Sequence, residues 1–155
     1  MMDYQTCLGM FGSPYVIVWR GKDYPLAFRT QKFKAALESW VKSKAISVLV
    51  EMKAGLPDED YQALLRETKT AISRGDYAFG QPSFSEIADS QDGKMQVMRL
   101  LLSGGPGAFL NDEDLSAFLT DNADAIGIWN EAFVTLRDES DPEKKAELTK
   151  MGLIF

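Results

Sequence analysis

The sequence predicts a mainly α protein, a single helical-bundle domain with a short N-terminal β-hairpin. Three observations carry that prediction. Apolar residues recur at helical spacing through residues 30–55 and again through most of the chain that follows. Gly, Pro, Asn and acidic clusters fall where such helices would start and stop. One stretch alone, residues 13–28, is β-branched and aromatic around a turn.

Residues 1–12 mix apolar and small side chains without a period and read as a possible docking arm. Tyr15-Val16-Ile17-Val18-Trp19 then forms one strand, Arg20-Gly21-Lys22-Asp23 a turn, and Tyr24-Pro25-Leu26-Ala27-Phe28 the returning strand. Pro25 has no N–H to give a ladder, so the second strand is expected at an edge with that position facing out. Such an edge is also where another chain can add a strand.

The long helix TQKFKAALESWVKSKAISVLVEMKAG organises the rest. Thr30 is its expected cap, and Gly55 and Pro57 its stop. Phe33, Leu37, Trp40, Val41, Val48, Leu49 and Met52 are expected along its buried side, with Phe33 and Trp40 as core residues. A second helix opens with Asp58-Glu59-Asp60, places Tyr61, Leu64, Leu65, Thr68 and Ile72 on one face, and ends at Gly75. Tyr77 and Phe79 are expected to plug the core rim. Ser83 starts a short helix through Phe84 and Ile87, interrupted around Gln91-Asp92-Gly93, and Met95, Met98, Leu101 and Leu102 form the next apolar face.

Asn111 is the expected cap of a helix carrying Leu115, Phe118 and Leu119. Asn122 is the expected cap of one carrying Ile126, Trp129, Phe133 and Leu136. Pro142 suits the first position of a last helix after an Asp141 cap. The bundle is thus expected over 30–151, followed by the apolar tail 152–155, with no repeat, low-complexity tract or dividing linker in between.

Composition limits the chemistry. With 155 residues, 45% of them hydrophobic, the chain can bury a real core, and a net charge of −6 argues against sequence-independent nucleic-acid binding. Cys7 stands alone, so no disulfide framework or cysteine zinc site is expected, and no apolar run reaches the length of a membrane span. Histidine is absent, which removes Ser-His and Cys-His nucleophiles, HExxH metal sites and imidazole proton transfer. Gly104, Gly105 and Gly107 are followed by Ala108-Phe109 rather than the Lys-Ser/Thr of a phosphate loop, so a flexible interhelical loop is expected. If Gly93 held the sixth position of a calcium loop, Ala88 and Arg99 would hold the first and twelfth, and neither is a usable ligand. The triplets Asp58-Glu59-Asp60 and Asp112-Glu113-Asp114 are explained by the positive ends of helix dipoles.

Charge is divided unevenly along the chain. Residues 1–55 carry a net +4 and residues 56–155 a net −10. The long helix alone supplies Lys32, Lys34, Lys42, Lys44 and Lys53, spread around its polar side, a face suited to the acidic half of a neighbouring copy.

The hairpin segment Arg20-Gly21-Lys22-Asp23-Tyr24-Pro25-Leu26, followed directly by KFKAALESWV, resembles the opening of small tailed-phage proteins in which a "G-K-x-Y-x-L" hairpin precedes a helical bundle. The run MQVMRLLLSGGPGAFLNDEDLSAFLTDNADAIGIWNEAF is similar to the helix–turn–acidic-helix pattern of tail-assembly chaperones and minor virion proteins. The resemblance implies a non-enzymatic role in building or assembling a phage particle, in the host cytoplasm or the virion, with no catalytic residues to transfer.

The expected function is therefore non-catalytic protein–protein interaction, as a phage virion structural or tail-assembly component. The alternative is a small acidic inhibitor occupying a basic surface of a host protein or nucleic-acid enzyme. Protein partners are expected, by self-association or with other virion or assembly proteins. No catalytic, metal or cofactor-binding residue, nucleic acid, membrane or small-molecule substrate is expected. The candidate interface comprises Arg20, Gly21, Lys22, Asp23 and Tyr24 of the hairpin and Leu153, Ile154 and Phe155 of the tail. The tail qualifies because chain ends normally favour polar residues.

Overall fold

The structure is a computed structural model. It describes residues 15–27, 31–139 and 142–150, with the backbone alone for 132–139, 144 and 147–149. The expectations for the docking arm, the Thr30 and Asp141 caps, Phe28, the side chains of Phe133, Leu136 and Leu148, and the tail lie outside what is described. The order is β1 (Tyr15–Trp19), β2 (Lys22–Leu26), α1 (Gln31–Met52), α2 (Asp58–Arg74), α3 (Pro82–Ala88), α4 (Gln91–Leu102), α5 (Asp112–Asp121), α6 (Ala123–Glu139) and α7 (Pro142–Lys150). The protein is mainly α with a small antiparallel hairpin, as the sequence predicts. It divides into two compact units, Met1–Phe33 with Val97–Phe155, and Lys34–Gln96.

In the first unit the hairpin turn is shorter than expected. Trp19 pairs with Lys22, so the loop is Arg20-Gly21 alone, and Lys22 and Asp23 belong to β2. Both loop residues have positive φ, 50° at Arg20 and 75° at Gly21, as a type I′ turn matched to the twist of its strands requires. Alternation is strict on β1: Tyr15, Ile17 and Trp19 are buried, while Val16 and Val18 are exposed. Counting from Trp19–Lys22, the bonded pair that closes a two-residue turn, hydrogen-bonded pairs alternate along the ladder, and Pro25 pairs with Val16 at a non-bonded position, one step from Ile17–Tyr24 and one from Tyr15–Leu26. Its missing N–H therefore falls on the outer edge of β2, as expected.

The hairpin core continues into the helices of the same unit. The Ala27 N–H donates to the Leu101 carbonyl at 2.8 Å, which satisfies one of the four carbonyls left open at the end of α4. Met98, Leu101, Leu102, Leu115, Phe118 and Trp129 are buried. Asn111 caps α5 as expected, its side-chain oxygen accepting the Asp114 N–H at 2.8 Å. The Asn122 side-chain amide turns back and donates to the Phe118 carbonyl at 2.9 Å, so it closes α5.

In the second unit α1 ends at Met52, and a 3₁₀ turn, Lys53–Gly55, completes the expected span. Its buried side chains are Leu37, Val41, Ala45 and Leu49, spaced every fourth residue in line with Phe33 of the first unit. Such a row drifts about 40° around the helix at each step, because four residues overshoot a 3.6-residue turn. The drift explains three corrections. Trp40 is half-buried rather than a core residue, and Val48 and Met52 are exposed at 40% and 46%. The expected face was too wide for a row that winds.

α2 closes with Gly75 at φ 92°, whose N–H bonds the Ile72 carbonyl while Asp76 N–H bonds that of Ala71. This is the Schellman pairing that glycine makes accessible. Tyr61 and Phe84 are buried, and half-buried Phe79 packs on Phe84 at 4.9 Å. The break expected around Gln91-Asp92-Gly93 is at Asp89-Ser90 instead. Ser90 Oγ accepts the Gly93 N–H at 3.1 Å and starts α4, and a side chain at Gly93 would collide with the carbonyls of Ile87 and Ala88.

Candidate functional site

Trp19, Tyr24 and Phe118 form a three-ring cluster that seats the hairpin on α5. Their centroids lie 5.7 Å apart for Trp19–Tyr24, 5.3 Å for Trp19–Phe118 and 5.3 Å for Tyr24–Phe118, at the edge-to-face and tilted angles aromatic quadrupoles favour. Trp19 Nε1 donates to Asp121 Oδ2 at 3.0 Å, and the Arg20 guanidinium lies 4.1 Å over the Trp19 ring and donates to Asp114 Oδ1 at 3.3 Å. Asp114 and Asp121 are seven residues apart, two turns along one helix face. The hairpin tip is thus fastened at both acidic positions.

This placement changes the candidate interface. Tyr24 is 4% exposed and belongs to the core, because it pairs with Ile17 on the buried face of the hairpin. Arg20 is exposed yet engaged with Trp19 and Asp114, while Gly21, Lys22 and Asp23 remain exposed around the tip. Leu153, Ile154 and Phe155 lie outside the described residues.

Among the described residues seven large apolar side chains are exposed, and none was anticipated as a contact residue: Val16, Val18, Val48, Val50, Met52, Phe109 and Ile128. Val16 and Val18 face outward from β1, and among the described residues no strand pairs with its outer edge. Alternation along Tyr15–Trp19 could have signalled these two valines. Met52 and Val48 stand one turn apart on α1, between Lys44 and Lys53. Lys44 is held by Asp92 at 3.0 Å, and this hydrogen bond and charge raise its pKa.

Among the described residues the most exposed large apolar side chain is that of Phe109, at 90%. It ends a 3₁₀ turn, Pro106–Phe109, between α4 and α5. The turn is held closely. Ala108 N–H bonds the Gly105 carbonyl at 3.1 Å, Leu110 N–H bonds that of Gly107 at 3.2 Å, and Arg99 Nη1 donates to the Leu110 carbonyl at 3.0 Å. Arg99 also reaches the Asp112 carboxylate. Gly107 is buried where a Cβ would sit 2.7 Å from Leu102, and a Cβ on Gly105 would sit 2.9 Å from the Pro25 ring. The glycines expected to make a flexible loop instead allow a close approach that fixes it. Nothing in the spacing of the sequence marks Phe109, because a glycine-rich run hides which residue it presents.

Acidic residues follow Phe109 in sequence: residues 100–131 contain Asp112, Glu113, Asp114, Asp121, Asp124 and Glu131 and no Lys or Arg. A depression on the second unit is lined by Gln62, Leu65, Arg66, Lys69, Thr70 and Ser73 of α2, which bring no carboxylate or thiol to it. Among the described residues no cluster of three metal-ligating side chains occurs, and no helix is long and apolar enough to cross a membrane. No family model, curated protein or solved structure matches the chain.

Proposed function

We propose that the chain is a non-catalytic protein–protein interaction protein, a structural or tail-assembly component of a phage particle. The observation that carries the interaction reading is Phe109, a large aromatic side chain 90% exposed on a turn whose backbone is hydrogen-bonded and whose glycines pack tightly. Leaving a Phe in water forgoes about 1.5–3 kcal/mol of burial, and aromatic side chains seated in a partner's pocket dominate many interfaces. The phage setting rests on the likeness of the hairpin-then-helix opening and of the segment 95–133 to virion and tail-assembly proteins. Gradient sedimentation of the native protein from its source tests both. The chain is expected in particles or in assemblies well above its own 17.3 kDa. Recovery only at the monomer position would overturn the proposal.

The acid-only stretch 100–131 favours a second reading, an acidic inhibitor of a basic protein. It predicts a complex with one basic partner that dissociates as salt is raised.

A further inference from the structure

We propose that the Phe109 turn of one copy docks on the Val48–Met52 stripe of a second copy, giving a head-to-tail contact. The inference rests on the protein–protein interaction reading and names its partner. The argument is complementarity in apolar character and in charge. Phe109 protrudes at 90% exposure from a fixed turn, and residues 100–131 carry six carboxylates and no cation, of which Asp112 pairs with Arg99 and Asp114 with Arg20. Val48 and Met52 lie one turn apart on α1, exposed at 40% and 46%, in a row that starts one turn earlier at Lys44, the lysine held by Asp92. Residues 31–55, which contain that stripe, carry five lysines and two glutamates, a net of +3. An aromatic knob on the acidic part of the chain and an apolar stripe on the lysine-rich helix complement each other between copies. Opposite fields of this kind steer encounter and fix the orientation, while the buried ring supplies the anchor.

The two patches are different surfaces, so the contact is heterologous. Each copy keeps one free knob and one free stripe, and association continues into a ring or a filament rather than stopping at a two-fold dimer. That property gives a sharp test with the full chain. Sedimentation velocity over a range of concentrations, at low and at high salt, is expected to show species larger than the monomer that shrink as salt rises. Phe109→Ser and Met52→Glu are each expected to leave a monomer, with thermal melts confirming that both variants remain folded. An equimolar mixture of the two variants is expected to form a dimer and nothing larger. One variant still offers a stripe and the other still offers Phe109, so a single complementary contact is restored.

A wild-type chain that stays monomeric at every concentration would overturn the inference. So would oligomers that survive either substitution while the variant is folded, or a mixture that fails to pair. The broader reading has its own separate fate. If the purified chain is monomeric but the native protein sediments in large assemblies, the interaction function stands and its partner is another protein. If both are monomeric, both proposals fall.

Discussion

Replacing Phe118 tests the seat of the hairpin on α5 most directly. Phe118 is 0% exposed and lies 5.3 Å from both the Trp19 and Tyr24 rings. Phe118→Ala removes the ring, opens a cavity between the sheet and the helix, and is expected to cost about 3–5 kcal/mol. Phe118→Leu keeps most of the volume and removes only the aromatic part of two ring contacts. At about 0.5–1.5 kcal/mol for each such pair, its expected cost is about 1–3 kcal/mol. Urea denaturation followed by circular dichroism reads both, with unchanged urea dependence as the sign that stability alone has moved. A loss below about 1 kcal/mol for Phe118→Ala would refute the reasoning, since a ring in this position cannot be removed so cheaply unless the cluster is absent.

Other substitutions probe the turn, the winding row of α1 and the surface charges. Gly107→Ala places a Cβ 2.7 Å from Leu102 and is expected to cost about 1–3 kcal/mol by overpacking, whereas Gly104→Ala meets nothing within 4 Å and should change urea stability by less than about 0.5 kcal/mol. Trp40 is half-buried, so Trp40→Ala should cost less in urea than the 3–5 kcal/mol of a fully buried aromatic, at about 1–2 kcal/mol. Arg20→Ala removes both the cation over Trp19 and the Asp114 pair while keeping the positive φ, and about 1–2 kcal/mol is expected by the same assay. Hydrogen bonding and charge from Arg74 hold the Asp76 carboxyl below its ordinary 3.8. Its contribution is therefore present above the unfolded value and lost as pH falls through the lower folded one. An NMR titration of Asp76 should give a midpoint below 3.8, and a midpoint at or above it would contradict the pair.

Local signals predicted most of the helical architecture, and they failed where the outcome depended on packing. Asn111 was readable as a cap because its partner, the Asp114 N–H, is three residues away and the capping bond is local. Gly75 was readable as a stop for the same reason. The length of the hairpin turn was not, because Arg-Gly and a four-residue turn both satisfy the pattern. The structure takes the short one, pairing Trp19 with Lys22 and Tyr24 with Ile17, and Tyr24 would face inward with either turn. On α1 the sequence offers apolar residues at both three- and four-residue steps. The row of every fourth residue is the one that is buried, leaving Val48 and Met52 outside. The glycine-rich turn is the clearest case. Gly105 and Gly107 read as conformational freedom, yet their role is space: one lies against Pro25 and the other against Leu102.

The same distinction explains why the candidate contact surface moved from the hairpin tip to Phe109. A tip with Arg, Gly, Lys and Asp reads as an exposed recognition element, but two of its neighbours on α5 already bind it. Asp114 takes the Arg20 guanidinium and Asp121 takes the Trp19 indole, so a partner at Arg20 must first displace contacts the chain makes with itself. Phe109 makes the opposite trade. Arg99 is bonded to the Leu110 carbonyl, one residue beyond it, and Gly107 is pressed on Leu102, two residues before it. The backbone on both sides is therefore fixed while the ring stays in water. A partner that buries the ring gains apolar contact without ordering the turn, because folding has already ordered it, and preorganisation of that kind lowers the cost of binding.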